Sequence, residues 1–180
     1  MPDCIDPKVA GFEPQAIVYS YEDFMQNASF TTTNRHPEQI TDVTIGQDVE
    51  DLGVQCSIYG ENPYNGTNTA LTREDGVEKY IHQVALRIAE RSAYSGDEIV
   101  EPLARGRHIV VLKTNDGKVF VHGLYGVLKA TEQTQNEYEN NGDWMVTMQD
   151  KEPYAVVEIV GSTADAQAIF TRLWNKAKEE

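Results

Sequence analysis

Cysteine is scarce in this 180-residue chain, and basic residues are missing from a long stretch of it. Cys4 and Cys56 lie far apart and in no CxxC pair, so neither a disulfide framework nor a thiolate zinc site has support. No run of about 18 apolar residues is present to cross a membrane as a helix. The N-terminus, Met-Pro-Asp-Cys-Ile-Asp-Pro, has neither the basic start nor the apolar core of a signal peptide, so a soluble chain made in a cytoplasm is expected. Between His36 and Thr72 there is no Lys or Arg. The net charge is −14, and it is uneven: Met1 to Asp75 holds thirteen acidic and three basic residues, or −10, and the remainder holds sixteen and twelve, or −4. Such a balance excludes tight, phosphate-led nucleic-acid binding, which needs clustered cations.

Catalytic motifs are also missing. There is no Walker loop, G-x-S-x-G, H-E-x-x-H or dinucleotide glycine fingerprint. Glu137-x-Glu139-x-Asn141-Gly142 begins like a calcium loop, but Met148 stands where the bidentate acid belongs. Gly123-x-x-Gly126 is too short for phosphate binding and marks a bend or bulge.

The strongest positive signal is His108 to Gly123, two β-branched runs around Asp116-Gly117, which predicts a hairpin with a type I′ turn. In that register Lys113 faces Phe120 and Val111 faces His122. One face carries Val110, Leu112, Val119 and Val121, and the other carries Ile109, Val111 and Phe120. Both faces are apolar, so the hairpin must be covered on both sides by a helix, a second sheet or another subunit. A two- or four-residue turn also sends His108 and His122 to opposite faces, where they share no metal. His82 joins neither without a strand pairing the sequence does not reveal. Buried, satisfied strand histidines are therefore expected, with no catalytic, cofactor-binding or metal-binding residues, no cofactor and no metal.

Ala16 to Tyr21 reads as the first strand, Phe24 to His36 as a loop or weak edge strand, and Ile40 to Ile45 as a strand. Residues 46–75 form a long, weakly patterned excursion with one strand at Val54 to Tyr59, expected to be mobile until ordered by a neighbouring copy. Asn27-Ala28-Ser29 and Asn65-Gly66-Thr67 match the glycosylation acceptor pattern, but carry little weight without a signal peptide. Val77 to Ala89 fits either a strand, with Tyr80, His82, Val84, Leu86 and Ile88 on one face, or a helix; the strand is preferred. A short helix follows, capped by Ser95 or Asp97, carrying Glu98, Glu101 and Arg105, interrupted by Pro102 and ended by Gly106. Trp144 to Met148 and Ala155 to Val160 are strands, and Asn140 to Asp143 is a turn. From Thr163 to Lys178, Ala166, Ile169, Phe170, Leu173, Trp174 and Ala177 make a helical apolar stripe, with Thr163 as the expected N-cap. At this length one domain, residues 1–180, buries about 70% of its unfolded surface.

Several segments resemble one family. Gly11-Phe-Glu-Pro followed by Ala-Ile-Val-Tyr-Ser-Tyr-Glu-Asp-Phe, Tyr80-Ile-His-Gln-Val-Ala-Leu-Arg-Ile, and the Asp-Gly hairpin running to His122-Gly-Leu-Tyr-Gly-Val-Leu are similar in order and spacing to tail tube proteins of tailed bacteriophages of Bacteroides-type gut bacteria, including the crAss-like group. The resemblance implies a mainly β (α+β) fold, a two-sheet β-sandwich or barrel with a flanking short helix and a C-terminal amphipathic helix. It also implies a virion structural protein that self-associates into homo-hexameric rings, stacked as a tube in the phage tail after assembly in the host bacterial cytoplasm. Its partners would be other tail or connector proteins and genomic DNA passing without sequence-specific binding, with no membrane. An acidic lumen fits that role, because a basic one would hold DNA by counterion release. The architectural pattern leaves open a tail ring, connector or head accessory protein. From a different class, a ligand-binding β-barrel or a small enzyme without a recognisable motif also remains open.

Overall fold

Residues 12–56, 67–88, 100–135 and 143–177 are described by the computed structural model. The chain is mainly β, with two sheets, of which the larger curls into a half-barrel. Its elements are β1 (Phe12–Ser20), α1 (Tyr21–Asn27), β2 (Ala28–Thr33), β3 (His36–Ile45), β4 (Val54–Cys56), β5 (Thr67–Glu74), β6 (Val77–Ile88), α2 (Glu101–Arg105), β7 (His108–Thr114), β8 (Val119–His122), β9 (Lys129–Gln135), β10 (Trp144–Glu152), β11 (Glu158–Ile159) and α3 (Thr163–Trp174). The seven-stranded sheet runs β2-β3-β11-β8-β7-β1-β4, and the four-stranded sheet runs β5-β6-β10-β9.

The β7–β8 hairpin lies inside the larger sheet and is buried on both faces, as its sequence requires. Ile109, Val111, Val119 and Val121 join Ile17 and Tyr19 against α3, where Ala166, Ile169, Phe170 and Leu173 meet them. Val110 and Leu112 join Ala16 and Val18 on the other side, against Val84, Leu86 and Ile88 of β6 and Val146 and Met148 of β10. One face is covered by a helix and the other by a second sheet.

The register differs from the expected one by one residue. Val110 pairs with His122, Val111 with Val121, and Lys113 with Val119. The turn has three residues, Asn115-Asp116-Gly117, and only Gly117 has positive φ, at 81°. The backbone N–H of Gly117 donates to the Thr114 carbonyl at 2.9 Å, and the Lys118 N–H donates to Thr114 Oγ1, also at 2.9 Å. Thr114 Oγ1 is further bonded to the Asp116 carboxylate. A side chain able to close the loop in this way favours the three-residue turn with a left-handed glycine over the two-residue one. The shift puts Val119 and Val121 on the face of Ile109 and Val111, and His122 on the face of Val110 and Leu112.

The helix α3 crosses the larger sheet. Arg172 bonds Asp42 and the Val43 carbonyl in β3, while Gln55 of β4, at the far edge, donates to the Trp174 carbonyl at 3.0 Å. A single helix therefore spans the sheet from β3, next to one edge, to β4 at the other. The helix begins one residue earlier than its cap signal implied. Ser162, not Thr163, is the N-cap, in a reciprocal capping box with Asp165. The expected apolar stripe is the buried one, with Trp174 only partly covered and stacked on Phe170 at 6.0 Å.

Elsewhere the structure adds order. Of the stretch Phe24 to His36, expected as a loop or weak edge strand, Ala28–Thr33 is the edge strand β2, while Phe24 to Asn27 belong to the helix Tyr21–Asn27, because Ser20 accepts from the Asp23 N–H and Phe24 is buried against Tyr19. The supposed excursion over 46–75 contains β4 and all of β5, which pairs with β6 over its whole length. Residues 77–88 are the strand β6 with the expected buried face, and β10 continues four residues past Met148. The strand expected over Ala155 to Val160 shrinks to Glu158–Ile159, held parallel to β3. The capping residues proposed before α2, the Asn65 acceptor site and most of the turn at Asn140 lie outside the described residues. Gly106 ends α2 in an extended conformation (φ −82°), not a left-handed one; a Cβ there would come within 2.6 Å of the His108 ring.

If α3 anchors the concave face, Phe170→Ala should cost about 3–5 kcal/mol, because it empties a fully enclosed aromatic site. Urea unfolding measures this, and a variant as stable as the parent would contradict the packing.

Candidate functional site

At one end of the interface between the sheets, the apolar layer gives way to four polar side chains. The β6–β10 register sets Asp150 opposite His82, and Glu152 lies two residues further along, so all three project from the same face. His122, the last residue of β8, faces them from the other sheet. The one-residue shift in the hairpin is what turns it there. His82 and Glu152 are 0% exposed, Asp150 is 5% and His122 is 8%.

Backbone groups hold the three side chains of β6 and β10 at one end. His82 Nε2 lies 3.0 Å from the Tyr154 carbonyl, which can only accept, so Nε2 donates there and Nδ1 is left to face His122. Asp150 Oδ1 accepts from the His82 N–H at 3.3 Å. Glu152 Oε1 accepts from the N–H groups of Tyr125 and Gly126, at 3.2 and 3.3 Å. The sequence Gly123-Leu-Tyr-Gly126 is thus a bend, as expected, and its amides cradle a carboxylate of the chain itself. Both glycines are sterically required: a Cβ on Gly123, whose φ is 85°, would lie 2.5 Å from the His108 carbonyl oxygen, and one on Gly126 would lie 2.7 Å from the Lys151 carbonyl oxygen.

The four side chains converge on His82 Nδ1. His82 Nδ1 is 3.2 Å from His122 Nδ1, 4.0 Å from Asp150 Oδ1 and 3.9 Å from Glu152 Oε2. Asp150 Oδ2, Glu152 Oε2 and His122 Nε2 are buried without a hydrogen-bond partner. Burial, and then the neighbouring Glu152, push the Asp150 carboxyl well above the usual carboxylate range. Burial also drives the His122 imidazole down to about 3, with His82 adding to the effect, so His122 is neutral.

No family model, curated protein or solved structure matches the chain.

The expectation that histidine geometry rules out a shared ligand is corrected at two points. His108 and His122 lie on the same face of the hairpin, not opposite faces, because the turn has three residues. The pair that meets is His82 and His122, through sheet packing that no local pattern encodes. His108 is the satisfied core histidine of the set: its Nε2 donates to the Leu103 carbonyl at 3.2 Å, and burial lowers its pKa. Asp150 and Glu152 had no sequence signal of their own. The alternation Met148, Asp150, Glu152 on a strand whose preceding inward positions are apolar is the trace that could have marked them.

Other concavities are less organised. One, an open groove of about 560 Å³ beside α3, includes Arg172 and Lys176. Both cations are already engaged, Arg172 with Asp42 and Lys176 with the carbonyls of Gln47 and Val49. A second, of about 230 Å³, lies between α2 and β4 and includes Cys56 and His108.

With metal kept away by a chelator, Asp150→Asn should raise the melting temperature, by about 2–4 °C for each kcal/mol of relief. The amide keeps the acceptor for the His82 N–H and offers a donor to a carboxylate that lacks one. A lower melting temperature would contradict crowding of like charge at this position.

Proposed function

We propose that the chain is a bacteriophage virion structural protein, a tail tube subunit that self-assembles into hexameric rings forming a conduit for genomic DNA. The observation that carries the self-assembly is β5. Among the described residues, this strand of eight residues pairs with β6 on one side only, and it is largely open on both faces, with Leu71 51% exposed and Val77, across the turn, 54%. Edge strands of monomeric proteins are blunted by proline, lysine, bulges or a covering element. The sequence Thr-Asn-Thr-Ala-Leu-Thr-Arg-Glu has no proline or lysine, and its pairing with β6 has no register break. At the edge of the other sheet, β2 does carry register breaks, between Thr31 and Thr33. An edge open among the described residues, in a chain of charge −14, fits strand-to-strand docking with a second copy; the Arg73–Glu78 and Lys151–Glu74 pairs tie β5 to β6 and β10.

The mainly β frame with a flanking helix and a C-terminal amphipathic helix agrees with what the tail tube resemblance implies, and the acidic balance suits a lumen along which DNA slides. Catalysis plays no part in this reading. The ring joins other tail or connector proteins end to end.

Electron microscopy and light scattering of the purified protein provide the test. Rings or tubes are expected, favoured by raising salt, because screening over about 8 Å at physiological ionic strength weakens repulsion between acidic copies. Thr69→Lys and Leu71→Lys should abolish them while leaving the fold intact. A chain that stays monomeric at all salt and protein concentrations, or lysine variants that assemble like the parent, would overturn the proposal.

A further inference from the structure

We propose that His82, His122, Asp150 and Glu152 form a closed structural site for one divalent transition-metal ion of the zinc class, tying the two sheets together. Among the described residues, His82, Asp150 and Glu152 are the one group of His, Cys, Asp or Glu side chains spaced to hold an ion, with their ligand atoms all within 4.8 Å of one another. His122, outside that group of three, meets it from the opposite sheet through His82 and would supply a fourth donor. A tetrahedral ion bound at about 2.0–2.1 Å sets two nitrogens roughly 3.3 Å apart, and the two Nδ1 atoms stand at 3.2 Å.

The arrangement around the donors is that of a supported metal site. His82 and Glu152 each spend one atom on the backbone and turn another to the centre. His82 gives Nε2–H to Tyr154 and turns Nδ1 inward. Glu152 gives Oε1 to the Tyr125 and Gly126 amides and keeps Oε2, 3.9 Å from His82 Nδ1; Asp150 holds Oδ1 both to the His82 amide and 4.0 Å from His82 Nδ1, and keeps Oδ2 without a partner. These outer contacts fix tautomer and orientation, as they do around histidine and carboxylate ligands generally. Both kept carboxylate oxygens are buried and without partners. Such atoms are rare in folded proteins, and two of them on neighbouring buried carboxylates ask for a cation or a proton.

Charge and donor type choose between the candidates. Two carboxylates side by side in a dry interior carry charge that one divalent ion can balance. Mixed nitrogen and oxygen donors suit zinc and its first-row neighbours, while calcium and magnesium take oxygen shells. The side chains of His82, Asp150 and Glu152 are 0% exposed, which leaves no open coordination position for a substrate. The ion is therefore structural.

The test uses untagged full-length chain, stripped with a chelator and titrated with zinc by calorimetry and with cobalt by visible absorption. One equivalent should bind, give the spectrum of tetrahedral cobalt, and raise the melting temperature. Asp150→Asn and Glu152→Gln keep the shape of the cluster, and each should weaken zinc binding at least tenfold and abolish the cobalt spectrum. In Asp150→Asn, zinc should no longer raise the melting temperature. Failure of the stripped parent to take up zinc or cobalt would overturn the proposal. Binding of several ions that both variants retain would do the same, since that marks the acidic surface.

Discussion

Everything in this fold depends on burying one β-hairpin from both sides. The β7–β8 strands carry valine, isoleucine and leucine on both faces, and neither face can be left in water without exposing several side chains worth about 1.5–3 kcal/mol each. The helix α3 covers one face and the β6–β10 pair covers the other. The hydrophobic core is thus two layers sharing a central sheet, and each layer is anchored by residues of the same seven-residue strand. Loosening either cover loosens the strand that holds the other.

The polar cluster follows from that constraint. Once the sheets are pressed together over Val110, Leu112, Val84, Leu86 and Met148, inward positions further along β6, β8 and β10 are buried whether or not they are apolar. His82, His122, Asp150 and Glu152 occupy those positions. A carboxylate pair there is costly for folding alone, so the cluster is best understood as a site that folding assembles and an ion completes. The exposed hairpin end, with β5 open at its edge, lies on the same strand pair that carries His82. Fixing β6 against the opposite sheet would also fix the edge offered to a neighbouring copy.

Much of the framework was legible from the residues. The doubly apolar hairpin, the buried face of β6 and the stripe of α3 were readable because hydrophobic periodicity reports burial directly. Finer features were not. The turn length depended on Thr114 closing the loop with its hydroxyl, which moved His122 to the other face. The capping box made Ser162 the cap in place of Thr163. Helix α1 depended on Ser20 and on one buried phenylalanine within a polar run. Strand β5 has almost no buried residue, so no alternation marked it; its pairing with β6 alone makes it a strand. The cluster could not be read because it joins β6, β8 and β10, residues up to 70 positions apart brought together by sheet packing.

Native-state hydrogen exchange of the backbone amides from Ile109 to Leu112 tests the central role of the hairpin most directly. These amides should exchange only through global unfolding, with opening free energies equal to that measured by denaturant, while those of β5 exchange through smaller local openings. Exchange of the β7 amides at the rate of an edge strand would contradict the account.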